Sequence, residues 1–170
     1  EQNLGPRDFF AKEDAIADLG LIACPGAEEL CKLVDSHLVR WAREVGNDEV
    51  DTFIIPCDCP RFQSGDAKGL VKASTRGDDL YIFVDPGNYS VTYKLSPDDH
   101  FQNLMRIIQA VSGRAHRISV IMPSLYGGRQ HRRVSRESLD CAFSLQQLRA
   151  VGVKNIITFD AHDPRVMNAV

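Results

Sequence analysis

The sequence predicts an α/β fold in three layers, a parallel sheet with helices on both faces, and three observations predict it. From Leu19 onward, short apolar runs alternate with amphipathic stretches. The runs are continuously apolar rather than alternating, as strands buried on both faces require. The 170 residues, 44% hydrophobic and 25% charged, are enough for one domain with a real core.

The elements follow in order. Leu19–Cys24, closed by Pro25-Gly26, predicts the first strand. Leu30, Leu33, Val34, Leu38, Trp41 and Val45 then recur at helical spacing, and Gly46 stops the run. Thr52–Pro56 predicts a second strand, and Phe62–Ser74 an irregular loop or a small hairpin. Leu80–Val84 is the third strand, ending at Asp85-Pro86-Gly87. Ser96-Pro97-Asp98-Asp99 is a helix start, with a hydroxyl cap, proline in the first position and acids facing the positive end of the dipole. Phe101, Leu104, Ile108 and Val111 share the inward face of that helix, and Gly113 ends it. Ile118–Met122 is a strand stopped by Pro123. Ser135 is the expected cap of a further helix with Leu139, Ala142, Leu145 and Leu148 inward and Gly152 as its stop. Asn155–Asp160 is the last strand.

Composition narrows the function classes. A net charge of −3 and a pI near 5.9 argue against a nucleic-acid coat. No apolar run approaches the roughly 18 residues of a membrane span, and Glu1–Asp14 is polar and charged, unlike a signal peptide. Five scattered cysteines (Cys24, Cys31, Cys57, Cys59 and Cys141) suggest reduced thiols, so the cytoplasm is the expected compartment.

Parallel sheets gather ligands at the carboxyl ends of their strands, which directs attention to two loops. Tyr126-Gly127-Gly128-Arg129-Gln130-His131-Arg132-Arg133 is a flexible turn leading into cations. A guanidinium there can stack on a base or clamp phosphate oxygens; the alternative is a solvated basic loop. Asp160-Ala161-His162-Asp163 sets an acid and an imidazole two residues apart, able to share a divalent cation; the alternative is a helix-capping acid and a surface histidine. Cys57-Asp58-Cys59-Pro60 lacks a second cysteine pair for zinc and reads as a turn, and Asp98-Asp99-His100 reads as part of a helix start. Neither G-x-x-x-x-G-K-[ST] nor G-x-G-x-x-G occurs.

These segments, in order, resemble the N-terminal domain of the ribose-phosphate diphosphokinases (phosphoribosyl pyrophosphate synthetases). Val120-Ile121-Met122-Pro123, the turn to Arg129-Gln130, Arg136-Glu137 and Ile156 through Asp160-Ala161-His162 resemble that family's strand, basic loop, helix and Asp-x-His strand end. Phe62, Arg76-Gly77-Asp78-Asp79-Leu80-Tyr81-Ile82 and Asn103-Leu104-Met105 resemble its flag, its next strand and the helix after it. The resemblance runs from Leu19 to Val170, leaving residues 1–18 as an N-terminal extension.

It implies a phosphoribosyltransferase-like sheet with a small β flag, and transfer of the diphosphoryl group of ATP to O1 of ribose 5-phosphate with Mg2+, for nucleotide biosynthesis. It further implies that Arg129, Gln130 and His131 bind ATP. Phe62, Ser64 and Asp66 would complete that site from a neighbouring subunit of a homo-oligomer, and Asp160 and His162 would bind metal. His131, Ser64, Asp66, Ser138, Asp140, Ala142 and Arg106 stand where the family carries other residues. Nothing in the chain resembles the family's ribose-phosphate loop or its catalytic flexible loop. The expectation is therefore residues 19–170 as an ATP-side domain with no catalytic residue of its own, inactive alone. The rival expectation is a non-catalytic regulatory or associating subunit of the same fold.

Overall fold

A computed structural model describes residues 17–90 and 95–161. Four strands, β1 (Leu19–Ala23), β4 (Asp79–Phe83), β5 (Arg117–Ile121) and β6 (Asn155–Ile157), form one parallel sheet in the order β1-β4-β5-β6. Between β1 and β4 the chain makes helix α1 (Glu28–Glu44) and an antiparallel hairpin of β2 (Cys57–Asp58) and β3 (Leu70–Val71). Helix α2 (Pro97–Val111) joins β4 to β5, and α3 (Asp140–Ala150) joins β5 to β6.

Side chains alternate across each strand, so the two faces build two cores. Ile22, Leu80, Ile82, Val84, Ile118 and Val120 point to one face, where Leu104, Ile107 and Ile108 of α2 and Leu145 and Leu148 of α3 cover them. Leu21 and Phe83 point to the other and meet Ala27, Cys31 and the half-buried Leu30, Val34 and Leu38 of α1. This is the expected three-layer arrangement. All five cysteines are free thiols, and no helix among the described residues is long and apolar enough to cross a membrane.

Five local expectations are corrected. Leu33 and Trp41 are 62% and 37% exposed, and α1 instead buries Cys31, Asp35, Val39 and Ala42. Asp35 turns inward because its carboxylate accepts the Phe53 N–H at 2.7 Å and the Thr52 hydroxyl at 2.9 Å. The strand expected over Thr52–Pro56 is a single parallel bridge, Leu21 with Ile54, after which the chain passes into the hairpin, where the Lys72 N–H donates to the Pro56 carbonyl at 2.9 Å. Cys57-Asp58 is strand rather than turn. Ser135 caps nothing: α3 begins at Asp140 after Leu139, with no side-chain cap, and the Cys141 N–H donates to the Gln130 carbonyl at 3.4 Å. The last strand ends at Ile157 rather than Asp160.

The region left open between loop and hairpin is a hairpin, extended by a bridge between Arg61 and Ala67. It leans on α2 at Gly69, where a Cβ would lie 2.6 Å from the backbone carbon and oxygen of Arg106. Helix backbone cannot yield as a side-chain tip can. Gly69→Ala is expected to lift the hairpin and cost about 1–3 kcal/mol, read as a lower denaturation midpoint with faster amide exchange in β2 and β3.

Candidate functional site

The site is built from the carboxyl ends of β4, β5 and β6. At β5 the last ladder bond runs from the Met122 N–H to the Ile157 carbonyl, 2.9 Å. Pro123 follows and cannot donate, so its carbonyl gathers the incoming chain instead. The N–H groups of Phe159 and Asp160 donate to it at 3.2 and 3.0 Å, as does the Thr158 hydroxyl at 3.2 Å. A parallel bridge between Ser124 and Asp160 completes the seam. Asp160 is thereby fixed at the end of β5 with its side chain exposed.

Past Ser124 the chain folds back tightly. The Gly128 N–H donates to the Leu125 carbonyl at 3.1 Å and the Gln130 N–H to the Gly127 carbonyl at 2.7 Å. Gly127 has φ +67°, and a Cβ there would press on the first turn of α3, 3.0 Å from the Cys141 nitrogen, so only glycine suits the position. Arg129 and Gln130 emerge exposed, and His131, half-buried, sets Nδ1 3.2 Å from the Gly128 carbonyl oxygen. Among the described residues no acid pairs with Arg129, so no ion pair occupies its guanidinium donors.

The second cluster is the hairpin tip. Phe62 is 56% exposed, with the Lys68 ammonium 5.9 Å from its ring centre. The Ser64 hydroxyl donates to Asp66 at 2.8 Å, and the Phe62 N–H to the Asp66 carbonyl at 2.7 Å. The structure thus gathers Phe62, Ser64 and Asp66 at one tip, and Arg129, Gln130, His131 and Asp160 at adjoining strand ends. No hydrogen bond or ring contact joins the two groups among the described residues. His162 lies outside the described residues.

The first turn of α2 makes contacts beyond those of the helix start that its sequence predicts. Ser96 caps the helix as expected, its hydroxyl oxygen accepting the Asp99 N–H at 3.0 Å. Asp98 and Asp99 do more than face the dipole. Asp98 accepts the Tyr126 hydroxyl at 2.7 Å, which pushes the phenol up to about 12. Asp99 accepts from Ser96 and from the Arg61 guanidinium at 2.8 Å, and these bonds hold it below the usual carboxylate range. An acid pair after Ser-Pro signals only a capped helix, so nothing local could have announced these contacts.

At the end of β4, buried Asp85 accepts the N–H groups of Gly87, Tyr89 and Ser90 at 3.1, 2.6 and 3.3 Å. Asn88 exchanges bonds with Leu95, and its Oδ1 lies 2.6 Å from Nε2 of His100, which is fully buried. That oxygen is an acceptor, so Nε2 carries the proton. Among the described residues Nδ1 meets no partner at good hydrogen-bond geometry. Burial pushes His100 below its ordinary value, against the pull of Asp85, the Pro25 main chain, Asp99 and Glu28. Below the ordinary value of about 6.5 the unfolded chain binds a proton that the folded chain refuses, so stability falls on acidification. The denaturation midpoint is expected to drop between pH 7.5 and 5.5, and to drop less in His100→Gln.

A family model described as the N-terminal domain of ribose phosphate pyrophosphokinase matches residues 19–152, which include the hairpin and the Arg129 turn. The chain belongs to this family. Ribose-phosphate pyrophosphokinase 1 of Candida albicans is 25% identical over 136 residues, covering 79% of this chain and 41% of that protein. A ribose-phosphate pyrophosphokinase of Bacillus caldolyticus is 26% identical over 112 residues, covering 65% and 33%. The chain therefore spans less than half the length of these relatives. In fold it is similar to the crystal structure of phosphoribosylpyrophosphate synthetase from Mycobacterium smegmatis, with a TM-score of 0.71 at 21% identity over 89% of this chain and 45% of that one. Asp160 and His162 lie past the span that the ribose phosphate pyrophosphokinase domain model matches.

Proposed function

We propose that this chain is the ATP-side domain of a ribose-phosphate diphosphokinase. It would hold ATP while the O1 hydroxyl of ribose 5-phosphate attacks the β-phosphorus, AMP leaves and phosphoribosyl pyrophosphate forms. The observation that carries this reading is the joining of two strand ends at Pro123, which sets the Asp160 carboxylate beside the origin of the Gly-Gly turn that bears Arg129. Arg129 would meet the adenine ring or the phosphates, Gln130 and His131 would line the same turn, and Phe62, Ser64 and Asp66 would close over the base of a neighbouring copy in a homo-oligomer. Such transfer depends mainly on positioning and on neutralising charge.

The donors suit magnesium carried in with the nucleotide. Among the described residues no group of three His, Cys, Asp or Glu side chains could hold an ion. Magnesium accepts one or two carboxylates and takes its remaining oxygens from phosphates and water. Asp160, with His162, would hold it, and the ion would neutralise phosphate charge. Ribose 5-phosphate binding and the catalytic loop fall to residues that this chain does not resemble, so the 170 residues should bind nucleotide without turnover.

Calorimetry with ATP and Mg2+ tests the reading. A saturable, magnesium-dependent heat is expected. Its absence would favour a regulatory or associating subunit, a role suggested by Ala142 and His131 at positions where the family carries a lysine and an aspartate.

A further inference from the structure

The first turn of α2 holds both arms of the proposed site, and the inference drawn from this rests on the nucleotide reading above. We propose that Asp98 and Asp99 form a two-armed brace, in which Tyr126 and Arg61 are positioning residues that aim the Arg129 turn and the Phe62 tip at nucleotide.

Tyr126 stands three residues before Arg129. Its ring stacks on Phe101 of α2, with centres 4.5 Å apart and planes inclined by 13°. Packing fixes the ring, and the 2.7 Å bond from its hydroxyl to Asp98 fixes its direction. Only Gly127 and Gly128 separate this anchor from Arg129. Main-chain bonds shape the turn itself, and Tyr126 ties that turn to α2 and so sets its direction against the helix.

Arg61 does the same for the hairpin. One guanidinium nitrogen donates to Asp99 at 2.8 Å and the other to the Gly65 carbonyl at 3.1 Å, so one side chain spans from the helix to the tip. Phe62 is the next residue. Both oxygens of Asp99 are engaged, Oδ1 by Arg61 and Oδ2 by the Ser96 hydroxyl. Adjacent residues on a helix diverge by about 100°, which lets neighbouring acids hold two loops on different sides of one turn.

Exposed contacts of this kind contribute little to folding. The brace should therefore govern where the arms point more than whether the chain folds. That remains so if the tip serves a neighbouring copy, because the stance of the hairpin on its own helix is what Arg61 sets.

The test uses Tyr126→Phe, which keeps the stacked ring, and Arg61→Gln, which leaves the Ser96 cap intact. Limited trypsin digestion without nucleotide is the first readout. In Tyr126→Phe, cleavage after Arg129, Arg132 and Arg133 should quicken about fivefold while cleavage after Lys68 and Lys72 matches the parent. Arg61→Gln should show the reverse. The second readout is calorimetric affinity for ATP with Mg2+, expected to fall about threefold to tenfold in each variant at an unchanged denaturation midpoint. Parent-like digestion in both variants overturns the brace. So does loosening of both arms in each variant, or selective loosening with unchanged affinity. If the parent itself gives no nucleotide heat, the proposed function fails, and the digestion pattern alone decides whether the brace exists.

Discussion

Arg129→Ala should weaken the affinity for ATP with Mg2+ by about tenfold to a hundredfold while the denaturation midpoint stays within about 2 °C of the parent. Hydrogen bonds to charged groups contribute about 1.5–3 kcal/mol, and each 1.4 kcal/mol is a factor of ten in binding. The fold should not notice the change. Arg129 is exposed, no acid pairs with it among the described residues, and the turn beneath it is held by main-chain bonds of Gly127, Gly128 and Gln130. Calorimetry on the two proteins side by side is the measurement. Arg129→Lys adds a control, since an ammonium restores charge but not the planar fork that stacks on a base or grips two oxygens. If Lys recovers most of the affinity, Arg129 acts as a charge on phosphate; if it recovers little, the guanidinium plane matters. Unchanged affinity in the alanine variant would remove Arg129 from the site.

Asp85→Ala is expected to cost about 2–4 kcal/mol of stability, a fall of roughly 5–15 °C in the melting temperature. Asp85 is 6% exposed, and its carboxylate satisfies three main-chain N–H groups in the loop after β4. Alanine leaves those donors without their acceptor; the Ser90 N–H is buried, and an orphaned buried group carries its full desolvation cost, while exposed Gly87 and Tyr89 lose the bonds that shape the loop. The damage should spread to the clasp between Asn88 and His100, because the loop that carries Asn88 loses its anchor. Asp85→Asn retains one acceptor oxygen and should lose about half as much. Thermal melts monitored by circular dichroism measure both variants, and equal stability of parent and alanine variant would show that this loop folds without its carboxylate.

What was legible in the sequence is what depends on neighbours in the chain. The sheet, the Ser96-Pro97 helix start and the end of β5 before the Arg129 turn follow from apolar periodicity, a cap and a proline, each read within a few residues, whereas the end of β6 falls three residues before Asp160. What was not legible depends on partners far along the chain. Asp35 turns α1 inward for an N–H group eighteen residues away. The start of α3 is set by the carbonyl of Gln130 rather than by Ser135. Tyr126 finds Asp98 across twenty-eight residues, and no spacing rule links a phenol to an acid at that range. Gly69 carries no local signal of its role, because the backbone of Arg106 that demands a glycine lies thirty-seven residues further along the chain.

The seam at Pro123 bears on how much this chain could change over time. Apart from the Thr158 hydroxyl, its bonds run from main-chain amides to a main-chain carbonyl, as do those that fold the Gly-Gly turn and seat the start of α3. Bonds of this kind do not ask which side chain a residue carries. Side chains around the site can then change without moving the main-chain points from which Arg129 and Asp160 project. Lineages that share a quarter of their residues would inherit the same scaffold of attachment points, and could retune what is attached there one side chain at a time.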